Sequence, residues 1–440
     1  MNIKEFFLLA KEKGLESAQI QISKSKSTSV SLFHREIDNY SINESQSIMA
    51  CGIYEGKFGS CRTEEIGKGT FEFLINGIID AASLNEKEDK AELFKGSEKY
   101  HRKNVYNAAL SQIKIEDKIA LIKDIENKLF AYDKRIDDVS SVEYDESESS
   151  SEFYNSYGLK LKQKSNYFVI VAGVVAKVNE ETKTGYDIFF GNDLAAFHED
   201  EFIQSVASKA LSKFGGVPCE SDKYPTVLSN DIFGDLVNYF LSSASAEEVQ
   251  KQSSFLIGKL GEKVASSKLT IKEKPLQKNV FFSYFDDEGV ATIEKDIVKN
   301  GVLKNYFYNR ETAKKDNVVS TGNGQWQGGK IGIGYNNIVI KGGKKTFKEM
   351  IAPIEKGVYI TEIAGLGTGM NAQSGDFSCQ AQGFMIENGK LTTPLNLITI
   401  SGNLLTMLGD IKDIDNNVVL RLNSIASPDV LIKKMSIGGK

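Results

Sequence analysis

Apolar residues recur at helical spacing in the first stretch of the chain, residues 2–14, where Ile3, Phe6, Phe7, Leu9 and Ala10 form one stripe. The period then shortens to two. Segments 18–23 and 27–33 alternate in polarity, and 48–54 followed by 57–62 predicts a hairpin turning at Glu55-Gly56. Four such segments in series predict an antiparallel meander. Helical spacing returns over 71–84 and 115–132, separated by a charged, weakly patterned segment at 86–103.

A second series of alternating segments follows at 140–145, 149–156, 158–178 and 184–190, and a helical stretch at 198–214 closes it. Both series open on serine-rich strands, SKSKSTSVSLF and DESESSSEFYN, which suggests duplication of a helix-plus-four-strand unit. Alternating serine and charge also marks any solvent-facing strand. Gly215-Gly216-Val217-Pro218 is a break, after which glycine becomes dense. A strand at 225–228 leads into a helix capped by Asn230 or Asp231 and running through Ile232, Leu236, Tyr239 and Phe240. From Phe281 onward, short strands alternate with turns such as Lys299-Asn300-Gly301 and Glu387-Asn388-Gly389. The expected fold is α+β. An N-terminal α+β domain of meanders with helices spans 1–214, and a β-rich domain, sandwich-like or a partial barrel, spans 215–440.

Composition narrows the partners. Lys+Arg 54 against Asp+Glu 59 leaves a net charge of -5 with no basic field for a phosphate backbone, so nucleic acid is not an expected partner. The longest apolar run, near Phe168 to Ala176, is far below the roughly 20 residues of a membrane span, and the opening MNIKEFFLLAKEKG lacks a signal peptide's apolar region. A cytoplasmic protein without membrane contact is expected. Its four cysteines, Cys51, Cys61, Cys219 and Cys379, show no Cys-x-x-Cys pairing. Cys51 and Cys61 flank the Glu55-Gly56 turn, which leaves either a cross-hairpin disulfide or two free thiols, the reading a reducing compartment favours.

A zinc hydrolase needs imidazoles on one helix and a carboxylate beside them. His34, His101 and His198 are too widely spaced to supply such a pair, and His198-Glu199 reads as an exposed helix start. There is no Gly-x-Ser-x-Gly elbow, and no His or Asn lies close in sequence to Cys379. The run Asp286-Asp287-Glu288 offers oxygens to a divalent cation or, more simply, forms an acidic turn before Gly289. The glycine-rich stretch 321–334 lacks the Gly-Lys-Ser/Thr and the strand-to-helix frame of a phosphate loop, so turns account for its glycines. Trp326, within it, is either a groove residue or a core anchor.

Several ordered blocks resemble the TldD/PmbA family. Asp287-Glu-Gly-Val-Ala-Thr, Lys299-Asn-Gly-Val-Leu-Lys-Asn-Tyr and Ser320-Thr-Gly-Asn resemble its middle signature. Ser374-Gly-Asp-Phe-Ser, Gly383-Phe-Met-Ile-Glu-Asn-Gly-Lys and Ile400-Ser-Gly-Asn-Leu-Leu resemble its C-terminal one. The close, Ser427-Pro-Asp-Val-Leu-Ile through Ile437-Gly-Gly, is similar to that of the PmbA (TldE) branch, which carries the label modulator of DNA gyrase.

The resemblance implies a two-branch zinc protease system in which the TldD branch bears His-Glu-x-x-x-His and a late cysteine ligand. Aligned without gaps, those helix positions fall near Val237, Asn238 and Ser242, and no cysteine follows Cys379. The implied role is that of a non-catalytic subunit binding no cofactor, with zinc on a TldD-like partner and unfolded or modified peptides as substrates. Gly375, Asp376, Phe377 and Ser378 are then expected to line a peptide cleft. Two alternatives stay open: a stand-alone peptidase assembled from distant residues such as Asp286, Glu288 or Cys379, and a homodimer that holds peptides without cutting them.

Overall fold

The computed structural model describes residues 2–86 and 91–440, so part of the charged segment at 86–103 lies outside the described residues. The chain divides into two compact units. One holds the chain as far as Leu211 together with Lys278–Ala291 and Gln325–Ile331; the other holds Ser212–Gln277, Thr292–Gly324 and Gly332–Lys440. Beyond the 1–214 and 215–440 division read from composition, two later segments thus return to the first unit. Their aromatic residues explain why: Phe285 packs on Phe153, and Trp326 packs with Cys51, Ile53 and Leu93.

The first unit is one six-stranded antiparallel sheet with helices. Its elements are α1 (Ile3–Glu12), β1 (Ser17–Phe33), β2 (Glu36–Tyr54), β3 (Lys57–Thr63), α2 (Thr70–Ser83), α3 (Ile115–Tyr132), β4 (Ile136–Asn155), β5 (Lys160–Val178), β6 (Glu181–Gly191) and α4 (Glu199–Leu211). The strand order is β3-β2-β1-β4-β5-β6. Each half repeats the same run of helix, three strands and helix.

The four-segment repeat expected in each half is corrected here to three strands. Segments 18–23 and 27–33 are one strand, as are 140–145 and 149–156. Their middles, around Lys24-Ser25-Lys26 and Glu146 to Ser150, have no apolar residue on either face. The paired registers Ser25↔Ser45 and Ser25↔Ser149 carry the ladder through them. Where the pattern is apolar it builds the core: Ile20, Ile48 and Ala50 of the sheet pack with Phe6 of α1 and Leu74, Ile75 and Ile78 of α2. Cys51 lies opposite Ser60 and Cys61 opposite Ala50, so the two cysteines point to opposite faces of the sheet, and they form no disulfide.

The second unit begins with β7 (Asp222–Leu228), α5 (Asn230–Ser243) and α6 (Ala246–Gln250). Then come β8 (Ile271–Glu273), β9 (Lys295–Lys299), β10 (Val302–Leu303) and α7 (Arg310–Lys315). The chain then passes through the glycine-rich stretch, a hairpin of β11 (Gly324–Gln327) and β12 (Lys330–Ile333) that turns at Gly328-Gly329 with φ of 56° and 89° and whose residues Gln325–Ile331 belong to the first unit. Last come β13 (Ile338–Ile340), α8 (Phe347–Ile351), β14 (Lys356–Ala364), α9 (Leu366–Gly369), β15 (Asp376–Glu387), β16 (Lys390–Asn403), α10 (Leu404–Gly409), β17 (Ile411–Leu420) and β18 (Ile425–Gly438).

The sheet order β10-β9-β8-β13-β18-β16-β15-β14-β7 closes on itself, because β18 also pairs with β7. Of the two expected shapes, sandwich-like or partial barrel, it is therefore the barrel-like one that forms, as a closed circuit of β18, β16, β15, β14 and β7. Phe233, Leu236, Val237 and Phe240 of α5 share its core with Val358, Ile360, Ile400 and Val430. Among the described residues no helix is long and apolar enough to cross a membrane.

Candidate functional site

The two blocks Ser374–Ser378 and Ile400–Leu405 meet at one end of the β15–β16 pair. Asp376 lies opposite Asn403 in the ladder, and the Asn403 side-chain NH2 donates to Asp376 Oδ1 (2.9 Å) and to the Ser374 carbonyl (2.9 Å). The Ser374 hydroxyl donates to Asp376 Oδ2 at 2.7 Å. These donors hold the Asp376 carboxyl below the ordinary carboxylate range, the Ser374 bond first and the Asn403 bond second. Asn403 also caps α10, its side-chain oxygen accepting from the Leu405 and Thr406 amides. Gly375 ends the turn that leads into β15, and its carbonyl accepts from the Leu404 amide of the second block: its φ is +77°, and a Cβ there would lie 3.5 Å from Leu404 Cβ and from the Phe255 ring.

A hollow of about 630 Å3 opens beside this turn, lined by Thr368, Gly369, Met370, Asn371 and Ala372 together with Asp376, Phe377 and Ser378. Strand alternation sorts the expected cleft residues. Asp376 and Ser378 are exposed, whereas Phe377 and Cys379 pack into the core. The opposite wall, 368–372, was not named from the sequence; its one signal is the glycine spacing Gly365-Leu-Gly-Thr-Gly. Phe377 pairs with Met370 in a single bridge, so the wall is tied to β15 through main-chain contact. A second hollow, of about 340 Å3, lies on the serine-rich face of the first unit among Ser23, Ser25, Ser45, Ser47, Ser149, Ser151 and Arg62.

Helix α5 carries the positions that the resemblance sets against the zinc ligands. Its cap is corrected to Ser229, whose hydroxyl accepts from the Ile232 amide, while Asn230 and Asp231 are already helical. Asn230 is held instead by Asp429: the Asn230 main-chain N–H donates to Asp429 Oδ1 (2.7 Å), and Tyr359 donates to Oδ2 (2.9 Å). Burial pushes the Asp429 carboxyl up. In a regular helix, positions five apart point about 140° away from each other. Val237 is accordingly sealed in the core, and Ser242 is exposed. The Asn238 side-chain oxygen accepts from the Tyr335 hydroxyl at 2.6 Å, and the Ser242 hydroxyl donates to the Asn238 carbonyl at 3.0 Å. A hydrocarbon, an amide already engaged and a neutral hydroxyl do not fit zinc, which takes thiolate, imidazole or carboxylate.

The other candidates are accounted for locally. The Asp286 carboxylate accepts from the Glu288 and Val290 amides, and Asp287 accepts from the Gln21 side chain and the Trp326 amide, so the acidic run is a hydrogen-bonded turn in the first unit. Cys379 belongs to the second unit. Burial pushes its thiol up, which lowers its thiolate fraction. His198 is exposed and immediately precedes α4. Among the described residues no group of three or more His, Cys, Asp or Glu could hold a metal ion. In the middle block, Lys295 forms a buried ion pair with Glu273, and Asn323 donates to Glu273 Oε1 at 2.9 Å.

Such a two-unit α+β chain, with interlocked C-terminal blocks around a hollow, has the architecture of a metallopeptidase family. Residues 109–214 match the PmbA/TldA metallopeptidase central domain, and residues 221–439 match the PmbA/TldA metallopeptidase C-terminal domain. The chain belongs to the PmbA/TldD family of metalloprotease type. The metalloprotease PmbA of Escherichia coli is 25% identical to it over 428 residues, covering 97% of this chain and 93% of its own length. A Thermotoga maritima protein named for modulation of a DNA gyrase is 29% identical, with a TM-score of 0.91 over 99% of this chain and 100% of its own. TldE of Thermococcus kodakarensis shares the fold, with a TM-score of 0.92, 22% identity and coverage of 99% of this chain and 100% of its own.

Proposed function

We propose that this chain is the non-catalytic subunit of a PmbA/TldD-type metalloprotease complex, acting in the proteolysis or maturation of unfolded or modified peptides. Zinc then resides on a TldD-like partner subunit. The observation that carries this reading is the state of α5: Val237 is core, and Asn238 is bonded to Tyr335. The hollow at 368–378 serves as substrate surface, with Asp376 and Ser378 offering polar contacts to an extended peptide main chain.

Metal analysis of the purified chain, with peptide cleavage measured in the presence and absence of a zinc-bearing partner, tests it. The expected result is cleavage only with the partner and no stoichiometric zinc on this chain. Near one-to-one zinc together with cleavage by the chain alone overturns it.

A further inference from the structure

The six-stranded sheet has two equivalent places where a long strand outruns its outer neighbour. β2 and β5 are each 19 residues long. β3 covers β2 only from Ile48 to Tyr54, and β6 covers β5 only from Phe168 to Val178. Residues 36–47 and 160–167 are therefore left as outer edges.

The two edges are treated in opposite ways. On β5, lysines occupy alternate positions, Lys160, Lys162 and Lys164, and the main chain is already engaged. The Tyr284 hydroxyl accepts from the Lys162 amide (2.9 Å) and donates to its carbonyl (2.8 Å), while Arg102 donates to the Lys160 carbonyl (3.1 Å). Such a side blocks strand addition. On β2, no hydrogen bond from another segment reaches the outer main chain of 36–47 among the described residues.

That open edge is also apolar on one face. The register shift between Ser31 and Leu32 sets Ile37 opposite Leu32, Tyr40 opposite Val30 and Ile42 opposite Thr28. All three then lie on the face where Leu32 and Val30 are buried, yet they are 46%, 49% and 52% exposed. The core face thus runs out to an edge with no strand paired to its outer side among the described residues. Glu44 pairs with Lys26, whereas Glu36 and Asp38 form no ion pair among the described residues.

We propose that the β2 edge over residues 36–47 binds an extended peptide segment as an added strand. The segment would have apolar, β-prone residues at alternate positions to cover Ile37, Tyr40 and Ile42, and Lys or Arg near Glu36 and Asp38. A second copy of the edge fits poorly. The antiparallel register that sets Tyr40 against the copy's Ile42 also sets Asp38 against its Glu44, and like charges directly opposite are destabilising. The site is independent of where zinc sits.

The test uses the full chain and a fluorescein-labelled ten-residue peptide of alternating valine and threonine with terminal lysines, followed by anisotropy. Saturable binding is expected, weakened about tenfold or more in the Ile37→Lys/Tyr40→Lys/Ile42→Lys variant. These positions are solvent-exposed, and an unchanged melting temperature verifies that the variant folds. Two further peptides carry N-methyl groups on every second residue, in opposite phase. Only alternate amides of an added strand face the edge, so one phase should abolish binding and the other retain it. Equal binding of both phases, wild-type binding by the lysine variant, or no saturable binding overturns the proposal. Self-association lost in that variant, without peptide binding, also overturns it and assigns the edge to a second copy.

Discussion

Two carboxylates of the second unit are each held by an asparagine amide at 2.9 Å, Glu273 by Asn323 and Asp376 by Asn403. Their surroundings differ completely. Glu273 is 2% exposed and is paired with Lys295, itself buried, whereas Asp376 stands at the rim of the hollow. The same donor and acceptor chemistry therefore does two jobs. In the dry network a missing partner leaves a naked charge; at the rim, water can replace any partner, so no charge is stranded.

The sharpest way to break this comparison is Lys295→Met, which strands the Glu273 carboxylate in the interior. A loss of about 3–5 kcal/mol is expected in urea unfolding. Val237→His comes next, at about 2–3 kcal/mol, because an imidazole without a partner replaces a core side chain; added zinc should not restore the melting temperature, since Asn238 and Ser242 supply no strong ligand. Tyr335→Phe removes the bond to Asn238 and should cost about 1 kcal/mol by the same measurement.

Asp376→Asn sits at the small end for stability. Its melting temperature should fall only slightly below that of the wild type at neutral pH, and under the proposed role cleavage measured with a zinc-bearing partner should fall. A stability loss like that of Lys295→Met would erase the distinction between the dry and wet sites. The pH dependence follows from the lowered Asp376 pKa. The folded state then holds fewer protons than the unfolded one, so the contribution is present above the unfolded carboxylate pKa and lost as pH falls through the folded value. Melting curves taken on the acid side should show a slightly shallower decline for Asp376→Asn than for the wild type.

Much of the local structure was legible along the chain. Helix α3 falls on 115–132, where the apolar period is strong. The Glu55-Gly56 hairpin and the Gly328-Gly329 turn follow from their glycines, which take positive φ without steric cost. The long strands were not legible as single elements, because Lys24-Ser25-Lys26 presents polar side chains to both faces and only the flanking β2 and β4 ladders keep it extended. The cap of α5 was misread for a similar reason: Asn230 and Asp231 are good capping residues in isolation, but Asp429 and Arg421 hold them from outside the helix.

The candidate site divides the same way. Gly375, Asp376 and Ser378 could be singled out from their block, but the facing wall at 368–372 has no side-chain chemistry to announce it and is brought there by the path between β14 and β15. The sequence by itself determined the periods, the turns, the family blocks and the lack of imidazoles outside the first 211 residues. Only the tertiary structure decided that β7 and β18 close a ring, that Glu273 is dry while Asp376 is wet, and that one of two like edges is sealed by Tyr284. The reason is physical: period and propensity act over a few residues, whereas burial and edge pairing depend on segments far apart in the chain.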